Sequence, residues 1–87
     1  MKETPLQKLK NLGPTIIRRL NEIGIYTKED LIIKGSINAY KEIVKKHNET
    51  IIPISYYLYA IHGALTNTPW DKLPLRVRQD LHKRARL

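Results

Sequence analysis

The groups in this chain best placed to do chemistry are backbone amides rather than side chains. From Leu6 to Ile23 the sequence LQKLKNLGPTIIRRLNEI reads as two short helical stretches joined by a tight Asn11-Leu12-Gly13-Pro14 hairpin. A hairpin that opens a helix points bare N–H groups outward, and together with the positive helix end these can hold a phosphate. Pro14 has no N–H, so the donors are those of Gly13, Thr15 and Ile16, with the Thr15 hydroxyl and the side chains of Lys10 and Arg19 beside them. A second anion-binding candidate is the C-terminal stretch, where Arg76, Arg78, Lys83, Arg84 and Arg86 face a single Asp80. Arginine suits phosphate because its planar fork reaches two oxygens. The predicted nucleic-acid contacts are therefore Lys10, Gly13, Thr15, Ile16, Arg19, Arg84 and Arg86, directed at phosphate and without sequence specificity.

Each of these features also has a purely architectural reading. Helix-hairpin-helix modules hold phosphate with a hairpin in which two glycines flank an apolar residue, the second glycine often followed directly by Pro-Lys. Here the first glycine is replaced by Asn11 and the lysine by Thr15. Asparagine tolerates positive φ better than most residues, so the turn survives while the cradle is weakened. Basic residues near a helix C-terminus likewise stabilise the macrodipole without any ligand.

The remaining reactive side chains are scattered. His47, His62 and His82 fall on separate elements with no i, i+4 pairing, which gives no metal site. Ser36 and Ser55 are the only serines, and neither spacing sets one beside a histidine. No glycine-rich nucleotide loop is present. The expectation is a protein without catalytic residues, cofactor or small-molecule substrate. Tyr26, Tyr40, Tyr56, Tyr57 and Tyr59 could stack on bases, but most sit at core or rim spacing.

The elements that must position these groups are helical, since no stretch alternates apolar and polar residues long enough to require a strand. The pattern predicts an all-α, compact bundle of five or six short helices with a helix-hairpin-helix-like N-terminal half. The first helix spans about Pro5 to Lys10. Pro14 opens the second, which buries Ile16, Ile17, Leu20 and Ile23 and stops at Gly24. Thr27 caps a third, in a Thr-x-x-Asp box with Asp30, that ends at Gly35. Ser36 is expected to cap the fourth, with Ile37, Tyr40, Ile43, Val44 and His47 along one side, followed by a loop from His47 to Ile52. Pro53 opens a central fifth helix, apolar on most of its circumference, in which Gly63 admits a neighbouring helix. Trp70 lies in the next turn, and Pro74 opens the last helix, with Val77, Leu81 and Ala85 facing inward.

Eighty-seven residues with 41% hydrophobic composition suffice for a single domain, residues 1–87, near the lower limit for one unstapled core. The absence of cysteine excludes disulfides and thiolate metal sites and fits a reducing cytoplasm. No apolar run is long enough to span a membrane. A net charge of +8 favours an acidic partner, DNA first among them. Ten of the sixteen basic residues are lysines in a chain also rich in isoleucine and asparagine, so an AT-rich coding bias accounts for part of that charge.

Five motifs occur in a characteristic order: Leu12-Gly13-Pro14, Ile23-Gly24-Ile25-x-Thr27-x-Glu29-Asp30-Leu31, Gly35-x-x-x-Ala39-Tyr40, Leu58-Tyr59-Ala60-Ile61-x-Gly63-Ala64 and Trp70-x-x-Leu73-Pro74. In this order and spacing the chain resembles the C-terminal domain of the TfoX/Sxy competence regulators, over roughly Leu6 to Leu81. The resemblance implies an all-helical bacterial domain, related to helix-hairpin-helix folds and associated with regulation of DNA-uptake genes. It supplies no catalytic residue. Members of that family also carry an N-terminal domain, so this chain is expected to be either a stand-alone version or a piece of a longer protein. Two functions follow as expectations: a module that binds DNA phosphates or a transcription complex, or a protein-interaction module, self-associating or not, with no nucleic-acid contact.

Overall fold

A computed structural model of the chain describes residues 4–47 and 52–85. The predicted contact Arg86 lies outside these residues, as does most of the predicted loop between His47 and Ile52. Among the described residues the chain forms five α-helices, α1 (Pro14–Glu22), α2 (Lys28–Lys34), α3 (Ser36–Lys46), α4 (Ile54–Thr66) and α5 (Leu75–Arg84), and two 3-10 turns, Leu6–Lys8 and Trp70–Lys72. The all-α architecture is the expected one, and α4 packs at the centre against α2, α3, α5 and the second 3-10 turn.

The boundaries follow local chemistry. Pro14 occupies the first position of α1, where a missing N–H costs nothing. Gly24 and Gly35, both at φ 85°, release α1 and α2 from helical geometry. Thr27 accepts the Asp30 N–H at 3.1 Å, while Asp30 reaches past the cap to accept the Tyr26 N–H at 3.0 Å. The N-terminal segment is tied to this same helix start. Lys28 donates its N–H to the Thr4 carbonyl at 2.8 Å, and Thr4 donates its own to Glu29 Oε1 at 2.9 Å.

Two of the expected helix assignments are corrected. The segment read as a first helix, Pro5 to Lys10, is only the three-residue turn Leu6–Lys8, because Leu9 is already extended and Asn11 turns to φ 75°. Three residues are too few to offset helix nucleation. Ser36 does not cap α3: Gly35 is the cap residue, and the Ser36 side chain points elsewhere.

The core gathers Leu6, Ile16, Leu20, Ile25, Leu31, Ile43, Leu58, Ile61 and Leu81, all essentially removed from water. One polar side chain organises the packing around α4. Asn11 Nδ2 donates to the Thr68 carbonyl at 2.8 Å and lies 3.4 Å from the Ala60 carbonyl, while its Oδ1 accepts the Trp70 N–H at 3.1 Å. Gly63 makes room for this: a Cβ there would fall within 3.0 Å of both the Thr68 oxygen and Asn11 Nδ2. The glycine thus admits a side chain and a returning loop, not the neighbouring helix expected from the sequence.

Asn11→Gly, which keeps the turn and removes the amide, is expected to destabilise the fold by about 2–3 kcal/mol through lost and unsatisfied hydrogen bonds. Gly63→Ala should cost about 1–3 kcal/mol by overpacking. Urea unfolding followed by Trp70 fluorescence measures both, and unchanged midpoints would show that the amide holds nothing together.

Candidate functional site

Of the predicted contact residues, those of the hairpin stay together. Lys10 is exposed, Gly13 and Thr15 are half-buried, and the Ile16 side chain is in the core. Gly13 caps α1 in extended geometry, and the helix start has no side-chain cap. A Cβ on Gly13 would meet nothing within 4 Å, so the surface above this helix end is open.

Arg19 is drawn away from the hairpin into a cluster with Glu22 and His47. His47 Nε2 lies 2.7 Å from Glu22 Oε1, and since a carboxylate only accepts, that nitrogen carries the proton. Arg19 Nη1 lies against the same ring, 3.2 Å from Nε2 and 3.4 Å from Nδ1, and 3.7 Å from Glu22 Oε1. The hydrogen bond from His47, helped by the charges of His47, Arg19 and Lys46, lowers the Glu22 pKa. Arg19 Nε is buried with no partner among the described residues.

Arg84 sits at the far end of α3 from this cluster. It pairs with Asp80 at 3.5 Å and lines a groove with Gly35, Ser36 and His62 at the start of α3, whereas His47 follows its last turn. Eleven helical residues separate the two by about 16 Å. The predicted set therefore forms a hairpin patch and two separate cationic groups, not one continuous cradle.

Sequence reasoning missed the pairing of Ser36 with His62. Ser36 Oγ and His62 Nδ1 are hydrogen-bonded at 3.0 Å, joining the start of α3 to α4 across 26 residues. Burial is the main cause lowering the His62 pKa, and the Arg84 charge adds to it. A nucleophile and a base are thus adjacent, but Asp80 pairs with Arg84, and no carboxylate orients the His62 ring among the described residues. The pair satisfies a buried hydroxyl. The other histidines stand apart, His47 on Glu22 and His82 on Tyr59 at 2.6 Å.

Apolar exposure is the feature that bears on the protein-interaction expectation, whose surface is expected around the helix carrying Tyr56 and Tyr59 and beside Trp70. Tyr56 is 54% and Trp70 49% exposed, on a small cleft of about 240 Å³ that Asn11 and Ala60 complete. Tyr59, by contrast, is 9% exposed. On α2, Ile32 and Ile33 face outward together, with Tyr26 just before them.

Residues 2–85 match the family model described as the TfoX C-terminal domain. The chain belongs to that family. Two solved structures from Listeria monocytogenes are similar to this TfoX C-terminal domain. One is an uncharacterized protein in a triclinic crystal form, 28% identical over 92% of this chain and 88% of the other, with a TM-score of 0.81. The second is a protein of unknown function in a tetragonal form, 28% identical over 91% and 94% of the two chains, with a TM-score of 0.80. No curated protein matches the chain. No helix among the described residues is long and apolar enough to cross a membrane.

The lowered His62 pKa has a defined consequence for this TfoX C-terminal domain. The unfolded chain takes up a proton on His62 at higher pH than the folded one, so stability contributed by the neutral ring is fully present above about pH 6.5 and declines below it. His62→Gln should flatten the melting temperature between pH 7 and about pH 5, while the loss below about pH 4.5 from Glu22 and Glu29 persists. Calorimetric melting of both proteins across this range is the measurement. An identical slope in the variant would assign the acid response elsewhere.

Proposed function

We propose that this domain is a non-enzymatic, cytoplasmic binding module whose principal partner is a protein. The observation that supports this most directly is the exposed Tyr56–Trp70 pair around its cleft. Large aromatic side chains supply much of the energy of protein interfaces at little entropic cost, and the backbone beneath Trp70 is held by its hydrogen bond to Asn11. The family resemblance makes a component of a transcription complex acting on DNA-uptake genes the natural setting, and a second copy of the chain is the simplest partner to test.

A contact with DNA phosphates is the second reading, favoured by the uncapped start of α1, the open space over Gly13 and exposed Lys10. Phosphate binding of this kind weakens steeply with salt and ignores sequence. Gly13→Ala discriminates well, since its backbone is extended and its Cβ is free of neighbours. It should leave stability within about 0.5 kcal/mol and lower affinity only where a ligand approaches the backbone closely.

Sedimentation of the chain over a concentration series, beside a titration with a short duplex at low salt, tests the two readings. Protein association should be abolished by Trp70→Ser and be accompanied by a blue shift of Trp70 emission. Duplex binding that is lost on Lys10→Glu and Gly13→Ala, with Trp70→Ser without effect on either measurement, would replace the protein reading with the nucleic-acid one.

A further inference from the structure

We infer that the groove between α2 and α3 is a docking site for a short acidic amphipathic helix of a partner protein; this rests on the protein-binding reading and names a second surface for it. The groove is open to solvent, with a volume of about 820 Å³. Its floor is apolar, built from Ile23, Ile25 and Val44, and Ile33 stands at its edge. Ile33 is 86% exposed and Ile32 beside it 57%, on a helix of seven residues that buries only Leu31. Ile33, the one of the two that lines the groove, adds little to this fold's interior, whereas a partner's apolar face would remove it from water.

Charge selects the occupant. The lining carries two carboxylates, and both are already engaged: Asp30 accepts the Tyr26 N–H, and Glu42 pairs with Lys34. Lys41 and Lys45, four residues apart on α3, have no ion pair among the described residues. With Lys34 the lining holds three lysines against these two carboxylates, a formal charge of +1, on a chain of net charge +8. A second copy seated here would bring its own +8 against these lysines, so like charge disfavours self-association at this face. A segment with apolar side chains on one face and Asp or Glu alongside satisfies both floor and rim. The eleven-residue α3 that forms one wall is about 16 Å long, room for about three turns of such a helix.

The probe is a fluorescein-labelled synthetic peptide of about 16 residues, with leucines at i, i+3, i+4 and i+7 and glutamates on the other positions. A second peptide of the same composition, its leucines dispersed around the helix, is the control. Anisotropy should report binding of the first and not of the second. Ile33→Ser and the double variant Lys41→Glu, Lys45→Glu should each weaken binding at least about tenfold. Both change exposed or rim side chains, and their circular dichroism should match the parent. Trp70→Ser should leave this binding unchanged, and amide shifts on titration should cluster on α2 and α3. No binding, equal binding of the control peptide, or equal binding to the Ile33 and lysine variants overturns the groove assignment. Shifts confined to Tyr56 and Trp70 would overturn it while leaving the protein-binding reading intact. Duplex binding with neither surface taking peptide would remove both.

Discussion

The arrangement of this small domain depends on the carboxamide of Asn11. Through it the N-terminal hairpin, the start of α4's last turns and the loop leading to α5 are held at one point, by bonds to Thr68 and Trp70 and proximity to Ala60. The three partners lie 49 to 59 residues away along the chain. A single side chain can do this because an amide is donor and acceptor at once, and because Gly63 leaves the space in which the carbonyl of Thr68 and the amide can meet. Asn67, in left-handed geometry at φ 54°, turns the chain after α4 so that Thr68 returns over Gly63 and donates its N–H to the Gly63 carbonyl at 2.8 Å.

That constraint also limits what the hairpin can offer a ligand. The residue that replaces the first glycine of a phosphate-binding hairpin keeps the positive φ such a turn requires and adds an amide that is spent inside the molecule. Arg19 is similarly committed, to His47 and Glu22. What remains available to an outside partner is the open helix start of α1, the half-exposed pair Tyr56 and Trp70, and the isoleucine-lined groove of α2 and α3. Apolar surface outweighs the phosphate cradle in this inventory, and for that reason a protein partner is the one we propose.

Much of the architecture was legible before any coordinates. Four of the five helices begin at or one residue after a position marked by proline or by the Thr27 cap, and α2 ends at the glycine that marks it. The inner faces of α1, α3 and α5 follow from spacing: Ile16 with Leu20, Tyr40 with Ile43, and Leu81 with Ala85 are buried as the pattern requires. The site was far less legible. Asn11 was readable as a residue suited to a turn, since tolerance of positive φ is a local property. Its hydrogen-bond partners, and the pairing of Ser36 with His62 across 26 residues, depend on how helices pack, which leaves no trace in local spacing.

By itself the sequence determined the helical class, most of the helix boundaries, the family and the strongly basic character, because each is set by residue type and short-range order. Tertiary structure alone decided which polar groups are consumed within the molecule and which face water. Asn11, Arg19 and Ser36 are taken up by partners distant along the chain, while Ile33, Tyr56 and Trp70 are left outside. The physical reason is that hydrogen bonding and burial depend on distance in space, and in a domain this small most of those distances are fixed only when the helices close around α4.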